Sequence, residues 1–416
     1  FQNDSATLYQ SLTNHISSLV CRNIVINKAS IISHDLSQKN KINRFDNVNI
    51  HLKNLLVDSS TQYDKSRFVF AKEASISIPN YLIRTSDSVY FFKCSSVNIS
   101  AAKRTLSAKD IELIPRRNKQ QFLKKLKAGE DIFTLKTSRL TLTGIDWWSF
   151  VNRDKMIADQ ADIYNCLFKD FIDSSYQPKK TVINNYPHQA FMRLKMPVSI
   201  RKIKLHNANV TYEELSQSSG KTGRLYFSDM NGLITNFTNI PAEIKKNRLL
   251  YCNVKTRFMR KVPMTVIFRF DMAKTKTGEF SAHVNAGAMD TSVLNPLAEP
   301  LGLFTLKKGN VKKVVADMRG NVFKVNSDFI LLYDNLYIIP LKKDKDGKGQ
   351  LKKKKFTAFL ANFLMIRNSN PDKGGKVRKY TYVVQRQRSP NFFGHLWRTI
   401  LTGTVKTIGA PEKFAK

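Results

Sequence analysis

VSIRKIKLHNANVTYEE, residues Val198–Glu214, is the stretch that decides the fold. Val198 and Ile200 alternate with polar neighbours. The phase then slips by one residue, and Ile203 and Leu205 alternate in turn. Asn207 follows, after which Val210 and Tyr212 resume the pattern. A period of two places alternate side chains on one face of a strand. The phase slip and the asparagine mark a kink, because Asn tolerates the left-handed backbone that a bulge requires. The stretch therefore reads as two strand segments joined by a sharp kink.

The same pattern recurs: apolar, any, apolar, any, then Asn, Lys or Gly, two free positions, and apolar. Ile203, Leu205, Asn207 and Val210 give one copy. Ile24, Ile26, Lys28 and Ile31 give another, as do Ile50, Leu52, Asn54 and Val57, and Leu140, Leu142, Gly144 and Trp147. The spacing between copies is irregular, which describes a degenerate structural repeat rather than a solenoid of fixed period.

Half-apolar strands fill much of the remainder. Leu225 and Phe227 alternate, and so do Leu250, Cys252, Val254 and Phe258. Met264, Val266, Phe268 and Phe270 follow, then Phe280, Ala282, Val284 and Ala286, and finally Phe329, Leu331 and Tyr333. Lys, Arg, Asn, Ser and Thr often occupy the opposite phase, as expected of antiparallel sheet with one apolar and one wet face. Helical spacing is confined to short stretches: Arg116–Gly129, the segment after the capping candidates Asp290 and Thr291, Phe356–Ile366, and the C terminus. In the last, Ser389 suits an N-cap and Pro390 a first turn. Phe392, Phe393, Leu396, Trp397, Ile400 and Leu401 then form an apolar stripe. That helix reads as a cap over one end of the sheet or as an element at a membrane interface. The lysine-rich Lys342–Lys355 reads as a hairpin tip. The irregular Asp173–Gln189 divides the chain into an N-terminal half, 1–180, and a C-terminal half, 181–416.

The chain has 416 residues, 42% of them hydrophobic, enough to build a sizeable core. Lys and Arg number 69 against 32 Asp and Glu, a formal net charge of +37. Such a field attracts polyanions: nucleic acid, anionic lipid headgroups or glycans. Cys21, Cys94, Cys166 and Cys252 are far apart in sequence, without zinc or thioredoxin spacing, and read as buried free thiols, with a disulfide as the alternative. No apolar run reaches the roughly 18 residues of a membrane-spanning helix. Phe1 is not an initiator residue, so the stretch reads as a fragment or a mature chain, from which an upstream anchor or signal could have been removed.

The sequence carries no nucleophile elbow, phosphate-binding loop, dinucleotide fingerprint or zinc-protease motif. Its seven histidines offer no i,i+4 metal pair, and its acidic residues are scattered. These absences point away from an enzyme, a bound cofactor and a metal. Aromatics sit on the apolar phase of strands rather than among exposed basic residues, which argues against nucleic-acid binding.

The residues MPVSIRKIKLHNANVTYEE, GRLYFSDMNGLITNFTN, DTSVLNPLAEPLGLFTLKKG, DFILLYDNLYI and SPNFFGHLWRTILTG, with IELIPRR and SRLTLTGID agreeing more weakly, resemble the AsmA-like family. That family belongs to the repeating β-groove group of bridge-like lipid-transport proteins, and the resemblance is to its Bacteroides-type branch. It implies a long, curved, mainly antiparallel β-sheet forming a taco-like apolar groove with a few short amphipathic helices, one of them C-terminal. It also implies an inner-membrane anchor, a body in the periplasm, and a non-enzymatic role in moving phospholipid or another acyl lipid toward the outer membrane. Other envelope proteins are possible partners on this view. Lining or core positions expected for the groove are Val198, Ile200, Ile203, Leu205, Leu225, Phe227, Val254, Phe258, Val266, Phe268, Phe270, Val284, Phe329 and Leu331. The rival architecture is a basic β-sandwich that binds a polyanion and leaves no groove.

Overall fold

A computed structural model describes residues 17–35, 41–61, 63–85, 89–116, 131–174, 185–343, 351–353, 366–386 and 392–411. Among these residues, 18 strands join one mixed sheet, so the sandwich architecture is not adopted. The first half contributes β1 (Leu19–Asp35), β2 (Lys41–Val57), β3 (Ala71–Arg84), β4 (Tyr90–Ser100), β5 (Thr105–Pro115), β6 (Ile132–Thr143), β7 (Met156–Tyr164) and β8 (Leu167–Asp173). The second contributes β9 (Val198–Leu215), β10 (Thr222–Thr238), β11 (Leu249–Phe258), β12 (Val262–Asp271), β13 (Phe280–Ala286), β14 (Met289–Asp290), β15 (Phe304–Gly320), β16 (Lys324–Lys343), β17 (Leu351–Lys353) and β18 (Lys379–Gln385).

The strands follow one another across the sheet in chain order, with β7 and β8 both beside β6, β13 and β14 both beside β15, and β17 and β18 both beside β16; pairing is antiparallel at every described junction but one. The exception is where β7 and β8 both lie parallel to β9. β9 starts beside the start of β7 and ends beside the end of β8, so the expected boundary near residue 180 falls at the one parallel junction. The two halves are continuous parts of one sheet.

The kink motif is a real backbone feature. Lys28, Asn54, Gly144 and Asn207 all have positive φ, 53°, 51°, 68° and 55°. Asn207 bends one continuous strand, β9, rather than separating two, and the β9–β10 register shifts there. Gly144 instead ends β6. Further copies follow the same rule at Asn80, Asn165 and Asn335, and Asp serves in the same place at Asp110. Side chains at these kinks link across strands on the polar face. Asn165 donates to Ser138 Oγ (3.1 Å), Asn207 donates to Asn165 Oδ1 (3.0 Å), and Asn231 Oδ1 accepts from the Asn207 N–H (3.2 Å). A line of bulges at one level bends neighbouring strands together, which curves the sheet.

The helices are α1 (Trp147–Arg153), α2 (Pro187–Met192), α3 (Pro241–Lys246), α4 (Asn295–Leu297, between a 3-10 turn and a π turn) and α5 (Phe392–Ile408). Asp290 caps the segment leading into α4, accepting from the Ser292 N–H at 2.7 Å, as its sequence suggests. The expected helices at 116–129 and 356–366, and the Ser389 cap, fall outside the described residues but for Arg116 and Ile366. The lysine-rich tip is flanked by the paired strands β16 and β17, a hairpin as expected. All four cysteines are free thiols, and Cys94 alone is buried.

Candidate functional site

The apolar phases of the strands fall on one face of the sheet, and its two ends are treated differently. Over β10–β18 the chain covers this face with its own segments. Phe392 of α5 is 2% exposed and packs among Tyr186, Phe268, Phe270 and Phe280, with ring centroids 5.0–5.7 Å apart. Tyr186 Oη and His395 Nδ1 share a hydrogen bond of 2.8 Å, and Tyr382 Oη donates to the Thr399 carbonyl at 2.6 Å. Burial holds the His395 imidazole neutral, lowering its pKa to about 4. Gly403 lets α5 approach closely, since a methyl group there would collide with the Tyr382 hydroxyl and the Phe329 ring. Phe191 of α2 stacks on Phe237 at 3.9 Å, and the turns around α4 close over Leu225, Phe258 and Val262.

Of the expected lining or core positions, most lie in the core. Val198, Ile200, Ile203, Leu225, Val254, Phe258, Val266, Phe270, Val284, Phe329 and Leu331 all lie on the apolar face, but buried in the core. Leu205, Phe227 and Phe268 are half-buried. The C-terminal helix is a cap: Phe392 and Leu396 are buried, Trp397, Ile400 and Leu401 are half-buried, and Phe393 is 56% exposed.

Over β2–β9 the same face is more open. Ile50, Ile76, Ile78, Val97, Ile99, Leu106, Leu113, Leu135, Leu140, Ile163, Phe168 and Val210 are half-buried. The register makes them neighbours: Ile50 opposite Ile76, Ile78 opposite Val97, Leu113 opposite Leu135, and Phe168 opposite Val210. Among the described residues the helix packed on β1–β8 is α1, at the start of β7. The pairings from β2 to β9 make six strand-to-strand steps, so the strip is about 29 Å long at about 4.8 Å per step. One leaflet of a bilayer has a hydrocarbon depth of about 15 Å, half of a core of about 30 Å, so an extended acyl chain fits along the strip.

At one end of this strip the apolar phase carries acids. Asp170 follows Phe168 on the same face and is 7% exposed, and its Oδ1 has no hydrogen-bond partner. Tyr212 sits opposite Asp170 across β8–β9, and its hydroxyl donates to Glu214 Oε2 at 2.7 Å. Asp131 precedes Phe133, which pairs with Asp170. Burial, and then the Asp131 charge, push the Asp170 carboxyl up to about 8. Burial also raises Glu214, against the opposing hydrogen bond from Tyr212. Acids that look scattered in sequence are thus gathered here. Their one sequence signal is position: Asp170 and Glu214 occupy the apolar phase of their strands.

A scan of the chain against protein-family models returned no match, and a search of curated proteins returned none either.

Proposed function

We propose that this protein binds acyl lipid in the apolar strip of β2–β9 and acts, without catalysis, in lipid transport or maintenance of the cell envelope. In this reading the body lies in the periplasm, attached to the inner membrane, and moves phospholipid between inner and outer membranes. The observation that carries the proposal is the contrast along a single sheet. The C-terminal half of the apolar face is sealed by α2, α4 and α5, whereas Ile50, Ile78, Val97, Leu113 and Leu135 on β2–β6 remain half-accessible. Each methylene removed from water contributes about 0.8 kcal/mol. A long chain laid along the strip is therefore held without polar recognition. The net charge of +37 favours an anionic membrane surface, at about 1 kcal/mol per well-placed Lys or Arg.

The test is mass spectrometry of lipids that co-purify with the protein in mild detergent, comparing wild type with Ile78→Glu and Val97→Glu. Wild type should carry lipid through high-salt washing, and the variants should lose most of it while remaining folded. Salt screens charge contacts but leaves apolar capture intact. Retention by both variants, or release of all lipid by salt, would refute the proposal in favour of polyanion binding through the lysines.

A further inference from the structure

The acids on the β6–β8–β9 end of the strip have a placement that the rest of the molecule does not explain. A protein with 69 basic residues has spent at least two carboxylates on its apolar face. Asp170 is more than nine-tenths buried, with an oxygen that no group satisfies. A buried, unpartnered carboxyl oxygen costs on the order of several kcal/mol, and such groups are normally paired. The groups facing Asp170 are Asp131 just before β6, Phe133 from β6, and Tyr212 and Glu214 from β9. Each titratable member of that set is acidic, and among the described residues no cation contributes to the shift of the Asp170 carboxyl. Glu214 is half-accessible and continues the line of the strip past Val210 and Tyr212. The site therefore has an apolar approach and an end lined by carboxyls, one of them with an unsatisfied oxygen. An apolar approach ending at carboxyls suits an organic cation attached to an apolar chain.

We propose that this end of the strip is a headgroup subsite for a lipid bearing a primary ammonium, with Glu214 as the direct contact, Asp170 behind it, and the acyl chains running toward β2. The inference rests on the lipid-binding reading above. Ammonium docking would take over the Glu214 oxygen now held by the Tyr212 hydroxyl. It would also favour ionised over protonated carboxyls, so binding releases protons.

The experiment is calorimetric titration of delipidated protein with monomeric short-chain phosphatidylethanolamine, phosphatidylglycerol and free ethanolamine. Wild type, Asp170→Asn and Glu214→Gln are compared near pH 6 and pH 8.5. Wild type should prefer the ethanolamine lipid roughly tenfold at the higher pH, the scale of a charge-assisted hydrogen bond away from water. That preference should shrink at the lower pH and vanish in both variants, while phosphatidylglycerol affinity stays unchanged across the three proteins. Equal binding of both lipids by all three proteins would overturn the subsite and leave the strip intact. Failure of both lipids to bind wild type would overturn both readings. Free ethanolamine binding as tightly as the lipid would overturn the lipid source of the ammonium.

Discussion

Replacing Asp170 with Asn should stabilise the protein, and by an amount that grows with pH. In the unfolded chain this carboxyl titrates at the ordinary value of 3.8, and in the fold at about 8. Between those values the folded state holds a proton that the unfolded state has released. Stability therefore falls as pH rises through that window, the reverse of the usual paired carboxylate. A shift of about four units at about 1.4 kcal/mol each sets a ceiling of about 6 kcal/mol above pH 8. Relaxation and water penetration reduce such penalties in real proteins, so about 2–4 kcal/mol is the expected gain. Asn has nearly the same shape and no proton to lose, so its stability lacks this slope. The assay is urea unfolding of both proteins at one-unit steps from pH 5 to pH 9. The gap between them should widen steadily up to about pH 8 and then flatten. A gap independent of pH, or a wild type more stable than the variant at pH 8.5, would refute the burial argument and remove the electrostatic basis of the headgroup subsite.

Phe392→Ala should cost about 3–5 kcal/mol, the range for a buried aromatic, and should free α5 for early cleavage in limited proteolysis. Gly403→Leu should have the same proteolytic signature, because its side chain has no space beside Tyr382 and Phe329. Asn207→Val should destabilise by at least about 2 kcal/mol, since a β-branched residue resists the left-handed backbone. Asn207→Gly, which loses only the side-chain bond to Asn165, should cost about 1 kcal/mol or less in the same thermal or urea assay.

Much of the architecture was legible because strand alternation and kink chemistry are local. The alternation in β9 through β13 and in β16 gave the strands and their apolar face. The Asn, Lys and Gly positions gave the bulges, because few residues accept φ near +50°. The motif was read too narrowly: Asp110 obeys it with a carboxylate, and the copies at Asn80, Asn165 and Asn335 were passed over. The capping Asp290 was readable for the same local reason. The parallel junction at β9 was not, since alternation carries no information about strand direction.

The sequence by itself determined which side chains share a face, because a period of two is a property of the extended chain. Only the tertiary structure decided what covers them. Val254, Phe270 and Phe329 have the same alternation as Ile78, Val97 and Leu135, yet the first three lie in the core and the last three are half-accessible. The difference is made by α5, α2 and α4, which reach the sheet across long sequence separations. The gathering of Asp131, Asp170 and Glu214 has the same origin: β6 and β8 pair antiparallel within the first half, and β9 joins them only through the parallel β8–β9 junction.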